Sequence, residues 1–213
     1  MPGVHDFALF VASGILLNLT PGADTLYIVT RATTSGRKAG AVAALGIAAG
    51  CCVHIVAAGL GLSALLATSA VAFTAVKLAG AAYLIYMGVA LWRAGPRSPT
   101  TAAAPLPATS LPRIFVQGAL TNILNPKVAL FFLAFLPQFV HPEGAHRLAA
   151  FLLLGTVFNT TGLAWNLFVA WSSAGIGRRV GGLPVRMHAL HRIAGAVFVA
   201  LGIKLALTAR QAG

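Results

Sequence analysis

The chain has 213 residues, of which 58% are hydrophobic and 8% are charged. A soluble domain carries about 25% charged residues because its surface faces water, so this composition excludes an ordinary water-soluble globular protein and predicts a chain surrounded by hydrocarbon. The formal net charge is +12, but the Lys and Arg residues lie in short gaps between apolar runs, which argues against nucleic-acid binding and favours contact with lipid headgroups.

A membrane-spanning helix needs about 20 mostly apolar residues, and six stretches of the chain meet this requirement. The predicted fold is therefore all-α, a polytopic membrane protein with six transmembrane helices in a single domain. The six stretches are residues 7–30, 40–66, 71–92, 114–140, 148–171 and 189–209. The amino terminus lacks the Lys/Arg-rich start of a secretory signal, so we expect the first stretch to be a retained helix.

Positive charge is concentrated in alternate gaps between these stretches. The gap after the first stretch carries Arg31, Arg37 and Lys38, and the gaps after the third and fifth stretches are also basic. By the positive-inside rule these three gaps face the cytoplasm, and both termini then face outside. Lys77 and Arg147 do not follow the pattern.

The two halves of the chain resemble each other. The segment FVASGILLNLTPGAD in the first half corresponds to FVQGALTNILNPKVA in the second, and KLAGAAYLIYMG corresponds to RIAGAVFVALG. Because each half holds three helices, the second half enters the membrane in the opposite orientation, which predicts an inverted-topology repeat. Repeat one covers about 7–92 and repeat two about 114–209, and the Pro-rich segment 93–113 between them predicts a flexible linker. Chance similarity between Ala-, Gly- and Leu-rich segments is the alternative.

Pro21 and Pro126 occupy corresponding positions of the two repeats, near the middle of their apolar stretches. A proline removes one backbone donor and clashes with the carbonyl four residues earlier, and in hydrocarbon the freed carbonyl needs another partner. Thr20, Asn125, water or a substrate would supply that partner, while Gly22 loosens the first break further. A structural kink is the alternative at each proline, but their pairing favours functional helix breaks beside a binding site.

Two charged residues lie beside these breaks. Asp24 is one of three acids in the chain, and Lys127 directly follows the second proline. A charge at the centre of a membrane helix costs about 2.5–3.5 kcal/mol on insertion scales, so we expect both side chains to face the bundle interior. Lys127 begins a half-helix, where the backbone dipole is already positive, and therefore needs an anion, either Asp24 or a substrate carboxylate. A static ion pair that fastens the two halves is the alternative.

Polar residues on the fifth predicted helix give a weaker signal. Asn159 and Asn166 share one helix face with Gly155 and Gly162. Small residues permit close helix approach, and amides hydrogen-bond across the contact. This face is equally compatible with helix packing and with the lining of a substrate pathway.

Residues with other chemistries are few. His54 is a candidate for a proton relay together with Asp24, although a satisfied interior histidine is the alternative. Cys51 and Cys52 are adjacent and point to different sides of a helix, so we expect buried inert thiols. The sequence contains no phosphate-binding loop, catalytic triad or Cys/His cluster, so it predicts no cofactor, no metal and no enzymatic activity.

The motifs NLTPGAD at 18–24, KLAGAAYLIYMG at 77–88 and NPK at 125–127 resemble those of the LysE/RhtB family of amino-acid exporters. The length, the six predicted spans and the basic gap after the first span are also similar. The resemblance covers essentially the whole chain. It implies efflux of amino acids or their derivatives across the bacterial inner membrane, driven by the membrane potential or by protons.

Carried over by position, the family's Pro-Gly motif falls on Pro21 and Gly22, and its following acid falls on Asp24. The family's NPK motif falls on 125–127. The family motif usually reads Pro-Gly-Pro, whereas Ala23 stands here in place of the second proline. This departure predicts a less rigid first break.

Together, these features predict a secondary exporter of amino acids or similar small zwitterions. Lys127 and half-helix amides would hold the substrate carboxylate, and Asp24 would bind the ammonium group or a proton. A membrane-embedded enzyme or thiol-relay protein that uses Cys51 and Cys52 is one alternative, and a non-transporting accessory subunit is another. Small residues on several helix faces would allow a homodimer, but nothing in the sequence specifies one.

Overall fold

The computed structural model describes residues 3–62, 70–93, 109–141 and 146–176, and residues 195, 196, 199, 200, 202, 203, 206 and 207. These residues are helical apart from short connections and one isolated bridge between Val4 and Val140, which confirms the all-α prediction. The helices are α1 (Phe7–Leu19), α2 (Ala23–Ala57), α3 (Ala70–Arg93), α4 (Leu111–Ile123), α5 (Pro126–Leu130) and α6 (Arg147–Ile176). A π-helical segment, Ala58–Leu62, extends α2, and a π-helical segment, Phe131–Phe135, followed by a 3-10 segment, Leu136–Phe139, extends α5.

The predicted break at Pro21 is confirmed. α1 ends at Leu19 and α2 begins at Ala23, with Thr20 and Gly22 in extended conformations between them. The Thr20 hydroxyl donates to the carbonyl of Leu16 at 2.8 Å, which also accepts the Thr20 N–H at 3.1 Å, so this hydroxyl does not serve the carbonyl of Leu17 that Pro21 leaves free. The first predicted stretch therefore consists of two half-helices.

α2 reverses direction at Gly36. This residue has φ 87° and ψ 175°, a conformation that only glycine adopts without strain. In a straight helix, residues eight positions apart are separated by about 12 Å, yet a Cβ atom on Gly40 would lie 2.7 Å from the Cβ of Ala32. The chain therefore folds back on itself, and the turn lies at the exposed residues 33–38.

The reversal lies in the predicted gap between the first and second stretches, but that gap is shorter than the sequence indicates. The chain is helical up to Ser35, and Arg31 lies within the helix with 7% of its surface exposed. The prediction that Arg31 is a solvated flank is therefore wrong, because polar groups of α4 and of the segment before it surround the side chain. Arg37 and Lys38 are exposed, as predicted.

The predicted break at Pro126 is also confirmed. α4 ends at Ile123, and the helical course from Pro126 to Phe139 is bent by 47° relative to it. α4 begins at Leu111, so the last three residues of the linker predicted at about 93–113 are helical. Pro112 lies in the first turn of α4, where a missing backbone donor is tolerated.

Two hydrophobic clusters hold the helices together. The first is rich in phenylalanine and includes Phe10, Phe131, Phe135 and Phe158. The second lies between α2, α4 and α6 and is built mostly from small and β-branched residues. Gly46 and Gly50 let α2 approach the backbone of α4 at the carbonyls of Phe115 and Ala119.

Two helical stretches of the described chain, Ala23–Leu62 and Arg147–Ala174, are long and apolar enough to cross a membrane, and the bent pair of α4 and α5 adds a third if it counts as one span. α3 matches the third predicted stretch, and α6 contains the fifth. The predicted stretch 189–209 and the linker fall largely outside the described residues. The part of 189–209 that is described packs on α3, because a Cβ on Gly88 would lie 2.6 Å from the carbonyl oxygen of Gly195. The six-span inverted repeat stays a prediction.

Candidate functional site

Lys127 joins the two helix breaks. Its backbone N–H donates to Asn125 Oδ1 at 3.0 Å, which caps the start of α5. Its Nζ donates to the carbonyl oxygens of Leu17 at 2.8 Å and Thr20 at 2.6 Å. In an uninterrupted helix the Leu17 carbonyl would accept from residue 21, but that residue is a proline and has no donor. The ammonium therefore takes the place of the missing donor at the negative end of the α1 dipole.

The expectation that Asp24 partners Lys127 is wrong in this conformation, because two backbone carbonyls accept from the ammonium instead; a substrate carboxylate as its anion stays a prediction. Within the described part of the chain, Asp24 and Lys127 form no ion pair, and the one ion pair found joins His5 and Asp6. The static Asp24–Lys127 pair is therefore also wrong. An ammonium group has three donors, so Lys127 keeps one N–H beyond the two carbonyl bonds.

Asp24 lies in the first turn of α2, where the positive end of the helix dipole favours a carboxylate. Its Oδ2 accepts from Asn122 Nδ2 of α4 at 2.8 Å. Its Oδ1 is buried without a donor in hydrogen-bond geometry, although the Asn125 side chain also interacts with this carboxyl group, and Oδ1 of Asn122 is buried without a partner as well. Buried acceptors without a donor are rare in folded proteins because each costs about 1–3 kcal/mol. The site therefore presents two acceptors for a cationic donor.

These groups line one cavity of about 40 Å³, which is room for about three water molecules. Its walls come from α1, α2, α4, α5 and α6, so the cavity lies where the two broken helices meet. Its polar lining consists of Asn18, Asp24, Thr25, Asn122, Asn125, Lys127, Asn159 and Asn166. Such a lining offers both hydrogen-bond donors and acceptors to a small polar molecule.

The structure brings most of the predicted binding residues together. The predicted residues that line the cavity are Gly22, Asp24, Asn125, Lys127, Asn159 and Asn166. The other three shape the breaks and do not touch the cavity: Thr20 is 2% exposed beside α1, and Pro21 and Pro126 stand where the helices stop and restart.

The predicted face of α6 combines packing with lining. Gly162 lies against Asn18 of α1, and Gly155 lies against Ile55 of α2. Asn159 Nδ2 donates to the carbonyl of Ala48 at 3.2 Å and also lines the cavity. Asn159 and Gly162 therefore both pack and line the cavity, whereas Gly155 packs without lining it; a substrate pathway along this face stays a prediction.

His54 lies beside the cavity and is not part of its lining. Its Nε2 is 3.1 Å from the backbone carbonyl oxygen of Asn122, and its ring stacks on Phe132 at 5.9 Å. A backbone carbonyl cannot pass a proton to the amide of the same residue, which is the group that contacts Asp24. The hydrogen bonds of the described residues therefore form no continuous relay from His54 to Asp24, and they favour a satisfied interior histidine.

Sequence reasoning missed Asn18 and Asn122. Asn18 Nδ2 lies 3.4 Å from the Phe158 carbonyl oxygen and from Thr161 Oγ1, so it links α1 to α6. Asn18 lies three residues before Pro21, and Asn122 lies four residues before Pro126. Each asparagine is therefore one helical turn before its proline and on the same helix face as that proline. That spacing was the signal that would have identified them.

The two thiols differ in their surroundings. Cys51 is buried and touches the cavity, whereas Cys52 is exposed, and both are free. The prediction that both are buried is therefore wrong for Cys52, because successive helix positions point about 100° apart. Among the residues that the structure describes, no group of three or more His, Cys, Asp or Glu side chains is placed to hold a metal ion.

The sequence model of the LysE type translocator family matches residues 15–209, which include both helix breaks and the whole cavity lining. The chain belongs to this family. The translocator is therefore a membrane transport protein and not an enzyme, which agrees with the resemblance seen in its motifs.

Curated relatives extend over nearly the whole translocator. An uncharacterized membrane protein of Vibrio cholerae is 31% identical over 95% of this chain and 97% of its own length. The homoserine/homoserine lactone efflux protein of Salmonella typhi is 32% identical over 95% of this chain and 96% of its own length. The leucine efflux protein of Salmonella choleraesuis is 28% identical over 96% of each chain. No solved structure matches this translocator.

Proposed function

We propose that this translocator exports amino acids or similar small zwitterions across the bacterial inner membrane. The observation that carries the proposal is the cavity between the two helix breaks, which combines unpaired acceptors with an ammonium donor. The family and the relatives named for efflux of homoserine, homoserine lactone and leucine support it.

The polar groups of the cavity match the two ends of an amino acid. Asp24 Oδ1 and Asn122 Oδ1 are acceptors without donors, and the substrate ammonium supplies donors for both. The remaining N–H of Lys127 donates to the substrate carboxylate. The predicted contact with half-helix amides is not offered by α5, because its first amides already bond to Asn125.

The cavity is too small to hold an amino acid in the observed conformation. A volume of about 40 Å³ is far below the roughly 300 Å³ of a small ligand pocket, so an amino acid enters only when the helices part. We assign one barrier to the aromatic rings beside the cavity, where Phe158 stacks on Phe131 at 4.5 Å. We assign the other barrier to the hydrogen bonds between α2 and α4, including Tyr27 to the Ile114 carbonyl at 2.9 Å. In the proposed cycle, these two barriers open alternately.

The orientation follows from the exposed charges. Arg37 and Lys38 lie at the Gly36 end of the bundle, and the positive-inside rule assigns this end to the cytoplasm. In the proposed six-span inverted repeat, the cavity lies near the membrane midplane. Coupling to protons through Asp24, or to the membrane potential at about 2.3 kcal/mol per charge per 100 mV, supplies the drive.

The test is efflux from proteoliposomes that contain the purified protein and are loaded with labelled L-homoserine or L-leucine. We expect Asp24→Asn and Lys127→Met to lower the initial rate at least tenfold, because each removes one of the two charged groups of the cavity. Asp6→Asn and Lys38→Met are the matched controls, since they make the same changes at exposed positions. Wild-type rates in both cavity variants would refute the proposed site.

A further inference from the structure

A second positively charged side chain is buried at the Gly36 end of the bundle. Arg31 is 7% exposed. Its Nη2 donates to Gln117 Oε1 at 2.8 Å, and its Nη1 donates to Thr109 Oγ1 at 3.3 Å. The guanidinium carbon lies 5.5 Å from the centre of the Tyr27 ring. Its Nε is buried without a hydrogen-bond partner.

Among the described residues, only neutral groups contact the Arg31 guanidinium. The chain has three acids, Asp6, Asp24 and Glu143, and within the described residues none of them forms an ion pair with this guanidinium. A buried charge without a counterion is expensive. A carboxylate binds a guanidinium roughly twice as strongly as a neutral acceptor does and accepts from two donors at once. The unpaired Nε and the amide-held Nη2 therefore form a fork suited to an anion.

The position of this fork relates it to the central cavity. Arg31 follows Asp24 by seven residues, which places it on the same face of α2 about 10 Å farther along. Both side chains contact α4, Asp24 through Asn122 and Arg31 through Gln117. The Tyr27 hydroxyl lies 3.3 Å from the same Gln117 oxygen, so Arg31 is part of the barrier that closes this end of the cavity.

We propose that Arg31 is a binding site for the carboxylate of the transported substrate, reached before the central cavity from the cytoplasmic end. This proposal rests on the proposed function of the cavity. When α4 moves away from α2, Gln117 is withdrawn, and a substrate carboxylate replaces it on the guanidinium fork. Both charged groups of an α-amino acid are attached to one carbon, so they cannot reach Arg31 and Asp24 together across about 10 Å. Arg31 and the cavity are therefore successive sites.

The test compares two substrates that differ in the carboxylate. L-homoserine has a free carboxylate, whereas in its lactone the carboxyl group is an ester without charge. Uptake into inverted membrane vesicles is measured for the wild type, Arg31→Gln and Arg31→Lys. We expect Arg31→Gln to raise the half-saturating concentration of homoserine about tenfold or more, and to change that of the lactone less than about twofold. Arg31→Lys keeps the charge but loses the planar guanidinium. Its half-saturating concentration of homoserine is therefore expected to lie between those of the wild type and Arg31→Gln.

Two further variants separate carboxylate binding from a structural role. Arg37→Gln removes an exposed arginine at the same end of the bundle and is expected to leave both substrates unaffected. Gln117→Leu keeps Arg31 and removes its neutral acceptor, so it is expected to lower the half-saturating concentration of homoserine and not that of the lactone. This variant also tests the proposal if Arg31→Gln does not fold.

The remaining outcomes overturn the proposal in different ways. Equal losses for homoserine and lactone in the Arg31 variants would show that the residue only fastens α2 to α4. Unchanged kinetics for both substrates would show that no carboxylate binds there. A wild-type protein that moves neither substrate nor leucine would overturn the function proposed for the cavity, and the Arg31 site with it.

Discussion

Replacing Gly36 with alanine tests the reversal of α2, because the backbone conformation of this residue decides whether the substitution lowers or raises the stability of the fold. At φ 87° and ψ 175°, a residue with a Cβ is strained by about 1–3 kcal/mol. No atom lies within 4 Å of a Cβ built on Gly36, so no packing change offsets or adds to that strain. We therefore expect Gly36→Ala to destabilise the folded protein by about 1–3 kcal/mol. If α2 were one continuous helix, the same substitution would instead stabilise it by roughly 1 kcal/mol.

Gly61→Ala is the matched control. A Cβ on Gly61 also meets nothing within 4 Å, but its φ is not positive, so alanine is accommodated there without strain and is expected to be neutral or slightly stabilising. The assay is thermal unfolding of the purified proteins in detergent, where about 2–4 °C is expected per kcal/mol for a chain of this size. An increase in the melting temperature of Gly36→Ala, or equal shifts for the two variants, would refute the helical reversal.

Two further substitutions probe the site and its support. Asn122→Leu removes the 2.8 Å hydrogen bond to Asp24 Oδ2. Because a hydrogen bond to a charged group contributes about 1.5–3 kcal/mol, homoserine efflux from proteoliposomes should fall at least tenfold. Unchanged efflux would contradict the role of this amide. Gly50→Ala places a Cβ 2.5 Å from the carbonyl oxygen of Ala119, and the resulting overpacking between α2 and α4 should lower stability by about 1–3 kcal/mol. A melting temperature equal to that of the wild type would show that these helices separate more easily than their contact indicates.

The helix breaks were predictable because their cause is local. Proline lacks a donor wherever it stands, so Pro21 and Pro126 interrupt their helices whatever surrounds them. The end of the preceding linker was less predictable, because Pro112 is tolerated in the first turn of α4. The residue at which α2 reverses also has a local cause, because only glycine adopts the positive φ of Gly36 without strain.

The partners of the charged residues were not predictable, because they come from distant parts of the chain. Arg31 follows an apolar run and has the sequence pattern of a solvated flank, yet its acceptor Gln117 is 86 residues away. Lys127 was expected to need an anion, either Asp24 or a substrate carboxylate, but in this structure it contacts backbone carbonyls of Leu17 and Thr20. A sequence pattern identifies candidate side chains. It does not show that a proline in one helix leaves a backbone carbonyl without a donor and that a lysine from another helix contacts this carbonyl.

The contact between Lys127 and the end of α1 ties together the motion of the two halves. If α1 tilted away alone, the carbonyl of Thr20 would lose the ammonium as its donor, and the carbonyl of Leu17 would keep only the Thr20 N–H at 3.2 Å, at about 1–3 kcal/mol for an acceptor left unpaired. The Lys127 ammonium would lose both of its carbonyl acceptors at the same time. α1 and α5 are therefore expected to move as one rigid body. The contact between Lys127 and the carbonyls of Leu17 and Thr20 then stays intact while the two proposed barriers open in turn.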